Sequence, residues 1–136
     1  MADNNADMPR GNETILIVDD QETIWDFLIE ALQELGYSVL LAENGIDAVE
    51  IYSNNPEQID LVLLDMVMPR QGGHQTFYKI KALDPKANIL LSSGYVSDEE
   101  VNDLLVEGAR GFLPKPHRLS TIAKEIRRIL DAHPHR

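Results

Sequence analysis

Short apolar runs alternate with amphipathic stretches along almost the whole chain. Five runs predict β-strands, and they cover residues 14–18, 37–42, 59–64, 88–92 and 111–113. Most of these runs are continuously apolar rather than alternating, which is typical of strands that are covered on both faces, as in a parallel sheet.

Helical patterns separate the five runs. Apolar residues recur at helical spacing from Ile24 through Phe27 to Leu35, and Gly36 provides a stop. Asn44 is a suitable cap for a second helix. Further helices are predicted over residues 76–83, from residue 97 to Gly108, and along the apolar stripe that begins at Leu119. The alternation predicts an α/β fold, a (βα)₅ doubly wound, five-stranded parallel sheet with right-handed crossovers.

Length and composition limit the classes of function. The 136 residues suit one domain, and the absence of cysteine excludes disulfides and zinc–thiolate sites. A net charge of −11 disfavours direct binding to nucleic acid. No signal peptide or membrane-spanning stretch is evident, so we expect a cytoplasmic protein without membrane contact. We expect a disordered tail at 1–12, one domain at 13–133, and a short C-terminal tail at 134–136.

Polar residues that could take part in binding or catalysis follow four of the predicted strands. Asp19 and Asp20 follow the first strand, Asp65 the third, Ser93 the fourth and Lys115 the fifth. Ligands of such sheets bind beyond the carboxyl ends of the strands, so these side chains are expected to share one crevice.

This set of side chains suits phosphoryl chemistry. Each residue alone has a structural explanation as a helix cap, a turn residue or a solvated lysine, but their joint occurrence at four strand ends favours a site. Clustered carboxylates repel one another unless a proton or a cation joins them, and hard oxygen ligands select Mg²⁺. Lys115 and Ser93 could bind phosphoryl oxygens, which is the positioning that phosphoryl transfer requires.

The same residues resemble the receiver domain of response regulators in two-component signalling. The resemblance covers about residues 14–132 and is carried by Asp19-Asp20, Leu63-Leu64-Asp65-Met66-Val67-Met68-Pro69 with Gly73, Ser93-Gly94, and Phe112-Leu113-Pro114-Lys115-Pro116. It implies a flavodoxin-like fold with strand order 2-1-3-4-5.

The resemblance also implies a role for each site residue. Asp65 would be the phosphoacceptor. The metal, Mg²⁺ or Mn²⁺, would be held by Asp20 and Asp65 directly, by Asp19 through water, and by the backbone carbonyl of Val67. Lys115 would pair with Asp65 at rest and with the phosphoryl group afterwards, and no organic cofactor is expected.

A switch is implied as well. Ser93 would move towards a phosphoryl oxygen, and Phe112 would rotate inward at a position where the family often has Tyr. The readout surface would be the fourth helix, the fifth strand and the fifth helix.

The implied partners are other proteins. A histidine kinase or a histidine phosphotransfer protein would supply the phosphoryl group, and a downstream protein or attached domains would receive the signal. Such a protein is a signalling phosphoacceptor that assists its own phosphotransfer and dephosphorylation rather than an enzyme. Whether the phosphorylated form dimerises is left open.

Two residues next to the predicted site have apolar or bulky side chains. Val67 lies two residues after Asp65, and Tyr95 lies two residues after Ser93. In the family these positions tune dephosphorylation. Our hypothesis is that both side chains shield the acyl phosphate from water and prolong its lifetime.

Three alternative functions have weaker support. An aspartyl-phosphate hydrolase of the haloacid dehalogenase type needs a second Asp two residues after the nucleophile, where this chain has Val67. A flavodoxin needs a phosphate loop rich in Ser, Thr and Gly after the first strand, where this chain has Asp19-Asp20-Gln21-Glu22. A docking module without phosphorylation would not need the acidic set together with Ser93 and Lys115.

Overall fold

Five strands and five helices alternate along the described part of the chain. The computed structural model describes residues 8–67, 72–94, 98–115 and 118–134. The elements are β1 Thr14–Val18, α1 Glu22–Glu34, β2 Ser38–Ala42, α2 Gly45–Asn54, β3 Leu61–Asp65, α3 Gly73–Leu83, β4 Ile89–Ser93, α4 Asp98–Val106, β5 Gly111–Pro114 and α5 Leu119–Ala132. All strand pairs are parallel and the order is β2-β1-β3-β4-β5. The flavodoxin-like fold predicted from the sequence is confirmed.

The sheet is covered by helices on both faces. Ile15 and Ile17 of β1 belong to one buried cluster with residues of α1 and α5. Leu16 and Val18 belong to a second cluster with residues of α2, α3 and α4. Successive side chains of a strand point to opposite faces, so a continuous apolar run fills both clusters.

Local signals fix several helix ends. The side-chain oxygen of Asn44 accepts the backbone N–H of Asp47 at 2.9 Å, which caps α2 as predicted. Gly36 and Gly108 follow α1 and α4 with φ of 104° and 112°, a conformation that favours glycine. The predicted start of α4 at residue 97 lies outside the described residues.

The N-terminal segment differs from the tail predicted at 1–12. Met8 is only 5% exposed and belongs to the same buried cluster as the residues of α1 and α5. The backbone N–H of Gly11 donates to the carbonyl of Leu35 at 3.1 Å. Residues 8–12 therefore pack on the domain because one apolar side chain and a set of hydrogen bonds hold them, whereas residues 1–7 lie outside the described part of the chain.

Within the described ranges, no helix combines the length and the apolar character that crossing a membrane would require.

Candidate functional site

The carboxyl ends of four strands meet at one rim of the sheet. Asp65 and Ser93 are the last residues of β3 and β4, and Asp19 and Lys115 directly follow β1 and β5. Backbone pairing continues to this rim, since the N–H of Lys115 donates to the carbonyl of Ser93 at 3.0 Å and the N–H of Asp19 donates to that of Ala42 at 3.1 Å. The backbone thus fixes where each functional side chain begins.

Three carboxylates converge at this rim. Asp19, Asp20 and Asp65 each place one carboxylate oxygen within 4.8 Å of the others. Asp19 and Asp65 are each 4% exposed, whereas Asp20 is exposed to solvent. The cluster therefore has two buried members and one that faces water.

Lys115 bridges the two buried carboxylates. Its Nζ lies 3.0 Å from Oδ2 of Asp19 and 3.6 Å from Oδ2 of Asp65. The second oxygen of Asp19 accepts the backbone N–H of Gln21 at 2.9 Å, so both oxygens of Asp19 have partners. The sequence predicted a resting pair between Lys115 and Asp65, whereas the shorter contact is the one with Asp19.

The surroundings of Asp65 raise its pKa above that of a free aspartate. Burial raises the pKa of Asp65 to about 6, while the nearby Lys115 ammonium and the backbone N–H of Val67 act in the opposite direction. The carboxylates of Asp19 and Asp20 add to the increase. Three carboxyl groups lie near the single ammonium of Lys115, so a bound cation would reduce the repulsion that remains between the carboxylates.

The structure also describes the other residues that were predicted for the site, Ser93, Phe112 and Val67. Ser93 is 2% exposed, and Phe112 is half-buried against the cluster formed with α2, α3 and α4. Val67 is 57% exposed, and its N–H donates to Oδ1 of Asp65 at 3.2 Å. Other residues singled out from the sequence, namely Met68, Pro69, Tyr95, Ser97 and Pro116, lie outside the described ranges.

A cavity of about 700 Å³ opens beside the carboxylates. Asp65, Ser93 and Lys115 line its polar end, and side chains of α1 and α5, including Phe27 and Ile122, line the rest. Sequence reasoning placed Phe27 on the apolar stripe of α1, but it is 55% exposed and lies at this opening. The position of Phe27 at the edge of the apolar stripe of α1 is the sequence feature that could have indicated its exposure at the cavity.

The donor set fits a hard divalent cation. Carboxylate oxygens are the ligands that Mg²⁺ prefers, and it usually takes one or two carboxylates together with waters. The partly exposed position of the cluster leaves room for those waters, because Asp20 faces solvent.

The profile of the response regulator receiver domain family matches residues 15–127, which include all the candidate site residues. The chain belongs to this family. Receiver domains of this family are signalling phosphoacceptors of two-component systems rather than classical enzymes, and the family binds Mg²⁺ at an acidic pocket.

Known receivers resemble this one over most of its length. The chemotaxis protein CheY of Halobacterium salinarum is 33% identical, and the alignment covers 87% of this chain and 97% of that protein. The sensor kinase CckA of Brucella abortus is 31% identical over 89% of this chain, which spans 13% of the kinase. The crystal structure of a CheX–CheY–BeF₃–Mg²⁺ complex from Borrelia burgdorferi has a TM-score of 0.83 and 28% identity, covering 87% of this chain and 89% of that one.

Proposed function

We propose that Asp65 accepts a phosphoryl group from the phosphohistidine of a sensor kinase or histidine phosphotransfer protein in the cytoplasm. The observation that carries this proposal is the convergence of Asp65 with Asp19, Asp20 and Lys115 beside an open cavity. A buried carboxylate at the end of a central strand is held by backbone pairing, which is the positioning that phosphoryl transfer requires.

The reaction is a displacement at phosphorus. A carboxylate oxygen of Asp65 forms a bond to phosphorus while the bond between phosphorus and the donor imidazole nitrogen breaks. The imidazole keeps the electron pair, and the product is an acyl phosphate on Asp65. Only the ionised carboxylate attacks, and a pKa of about 6 leaves Asp65 mostly ionised at neutral pH.

The acidic cluster would hold Mg²⁺, or Mn²⁺ in its place. Asp20 and Asp65 would bind it directly, Asp19 through a water molecule, and Val67 through its backbone carbonyl. When bound, the cation supplies positive charge opposite the phosphoryl oxygens. Lys115 would supply the second positive charge, because its Nζ already lies 3.6 Å from Asp65.

Phosphorylation would change the contacts of the neighbouring strands. The new phosphoryl oxygens are strong acceptors, and the hydroxyl of Ser93 together with Nζ of Lys115 would donate to them. Ser93 ends β4, and Lys115 follows β5, the strand that carries Phe112. If Ser93 and Lys115 bind the phosphoryl oxygens in only one of two conformations, phosphorylation shifts the equilibrium towards that conformation. The change would then alter the surface that α4, β5 and α5 offer to a partner protein.

The decisive test is incubation with acetyl phosphate and Mg²⁺ followed by intact mass measurement. Wild type is expected to gain one hydroxylamine-labile phosphoryl adduct, and Asp65→Asn is expected to gain none. Asp60→Asn is the matched control, since Asp60 is also buried but precedes β3 at the opposite end of the sheet. The assignment would be rejected if Asp65→Asn gained the adduct, or if Asp60→Asn lost it while Asp65→Asn kept it.

A further inference from the structure

The segment before β1 crosses the C-terminal end of α1 and reaches α5. The guanidinium of Arg10 donates to the carbonyl of Glu34 at 2.6 Å, and the N–H of Gly11 donates to that of Leu35 at 3.1 Å. Met8 occupies the buried cluster that also contains Ile126, Ile129 and Leu130 of α5. We call residues 8–12 the strap.

One side chain of α5 fastens the strap. Arg127 donates through Nη1 to the carbonyl of Arg10 at 3.2 Å, and through Nη1 and Nη2 to Glu13 at 3.0 and 2.6 Å. The same guanidinium contacts the hydroxyl of Tyr37 at 3.4 Å and the carboxylate of Asp131 through Nε at 3.0 Å. Arg127 thereby connects the strap, the residue that precedes β2 and the last turns of α5.

The crossing depends on small residues. A Cβ atom at Gly11 would lie 2.5 Å from Nη1 of Arg127, from Oε1 of Glu13 and from the ring of Tyr37. Gly36, where φ is 104°, passes so close to the carbonyl of Gly11 that a side chain there would collide with it. The strap is therefore seated closely beneath the Arg127 guanidinium.

The anchors of the strap are weak compared with those of the sheet beside it. Met8 is the one buried side chain of residues 8–12, whereas four of the five residues of β1 are buried. The charged anchors are partly solvated, since the side chains of Arg127 and Glu13 are each 21% exposed. Segments with few buried contacts and solvated polar anchors open before the whole domain unfolds.

We propose that residues 8–12 form a detachable strap whose release loosens the C-terminal half of α5. Release removes Met8 from the cluster that α5 packs on and removes the carbonyl of Arg10 from Arg127. The phosphoacceptor site lies at the opposite ends of the strands, so the strap acts on α5 separately from that site. A partner protein that binds residues 8–12 would thus alter α5, which belongs to the proposed readout surface, without acting on Asp65. Only this last consequence rests on the proposed function.

Amide hydrogen exchange on the full chain tests the strap. Gly11→Ala changes no residue of α5 but crowds the seat of the strap and the Arg127 guanidinium beside it, and Met8→Ser removes the buried anchor. In both variants the amide of residue 11 and the amides of residues 126–132 should exchange about tenfold faster or more, while the amides of β3 keep their wild-type rates.

Two substitutions on α5 supply the reciprocal test. Arg127→Gln should speed exchange at the amide of Gly11, whereas Arg128→Gln should not. Arg128 is the matched control, because it pairs with Glu125 of its own helix and with the carbonyl of Arg110. The proposal fails if α5 keeps its wild-type rates when residue 11 exchanges fast, if residue 11 stays slow in the strap variants, if β3 accelerates equally, or if both arginine variants behave alike.

Discussion

Replacing Asp65 by Asn removes a buried acid whose charged form is disfavoured in the folded protein. Asp65 is 4% exposed, and its carboxylate lies within 4.8 Å of two others. Asn has nearly the same shape and carries no charge. In the absence of divalent metal we therefore expect Asp65→Asn to be more stable than wild type at neutral pH, even though it lacks the proposed phosphoacceptor.

The magnitude follows from the pKa. Folding raises the pKa of Asp65 from 3.8 to about 6, and each unit corresponds to about 1.4 kcal/mol, so the full effect is about 3 kcal/mol. The sign follows from proton binding. The folded state holds the proton more tightly, so this contribution to stability is complete below the unfolded pKa of 3.8 and is lost as the pH rises through about 6.

The assay is urea denaturation of both proteins in EDTA across a range of pH. The free energy of unfolding of Asp65→Asn minus that of wild type should grow by about 2 kcal/mol between about pH 4.5 and 8. The pH dependence is the readout, because a constant offset between Asn and Asp cancels from it. Asp103→Asn, on the exposed side of α4, controls for the loss of one negative charge from a highly acidic chain.

A flat difference between the two proteins across this pH range would refute the reasoning. It would mean that Lys115, 3.6 Å away, compensates fully for burial and for the neighbouring carboxylates. A difference that falls with rising pH would show that the charged form is favoured in the folded protein.

Three further predictions concern the metal, the lifetime of the phosphoryl group and the fold. Millimolar Mg²⁺ should raise the melting temperature of wild type and leave that of Asp65→Asn nearly unchanged; equal shifts in calorimetry would argue against the cluster as the binding site. If Val67 shields the acyl phosphate as hypothesised, Val67→Asn should shorten its lifetime, because an amide beside Asp65 can bind water; the lifetime is measured by the decay of the mass adduct after the donor is removed, and an unchanged decay would reject shielding. Tyr52→Phe should cost about 1 kcal/mol in urea denaturation, since the buried hydroxyl donates to Asp84 at 2.8 Å, and a neutral effect would show that water replaces the bond.

The fold could be predicted from the sequence because its signals are local and agree with one another. The apolar runs placed the five strands of the described chain to within about two residues. Every residue of β3 and β4 is buried, as a continuous apolar run predicts for a strand that is covered on both faces. Asn44 and Gly36 marked helix ends through side-chain capping and through backbone freedom. Strand ends of a parallel sheet share one rim, so the convergence of the carboxylates followed from the topology.

Other features could not be derived from local patterns. The closer approach of Lys115 to Asp19 than to Asp65 depends on the path of a long side chain between two acceptors. The packing of Met8 depends on residues of α1 and α5 that are distant in the sequence, and an isolated large apolar residue in a mostly polar stretch has no periodicity. Phe27 is exposed although it belongs to the apolar stripe of α1, because the stripe is wider than the face of the helix that packs on the sheet.

The central claim is that the carboxylate of Asp65 carries the phosphoryl group, and borohydride trapping tests it most directly. The protein is phosphorylated with acetyl phosphate and Mg²⁺, reduced with borohydride, digested and sequenced by mass spectrometry. Reduction of an acyl phosphate converts the modified aspartate to homoserine, and we predict homoserine at position 65 alone. Homoserine at position 19 or 20 instead, or none at position 65 in a sample whose intact mass shows the adduct, would contradict the account.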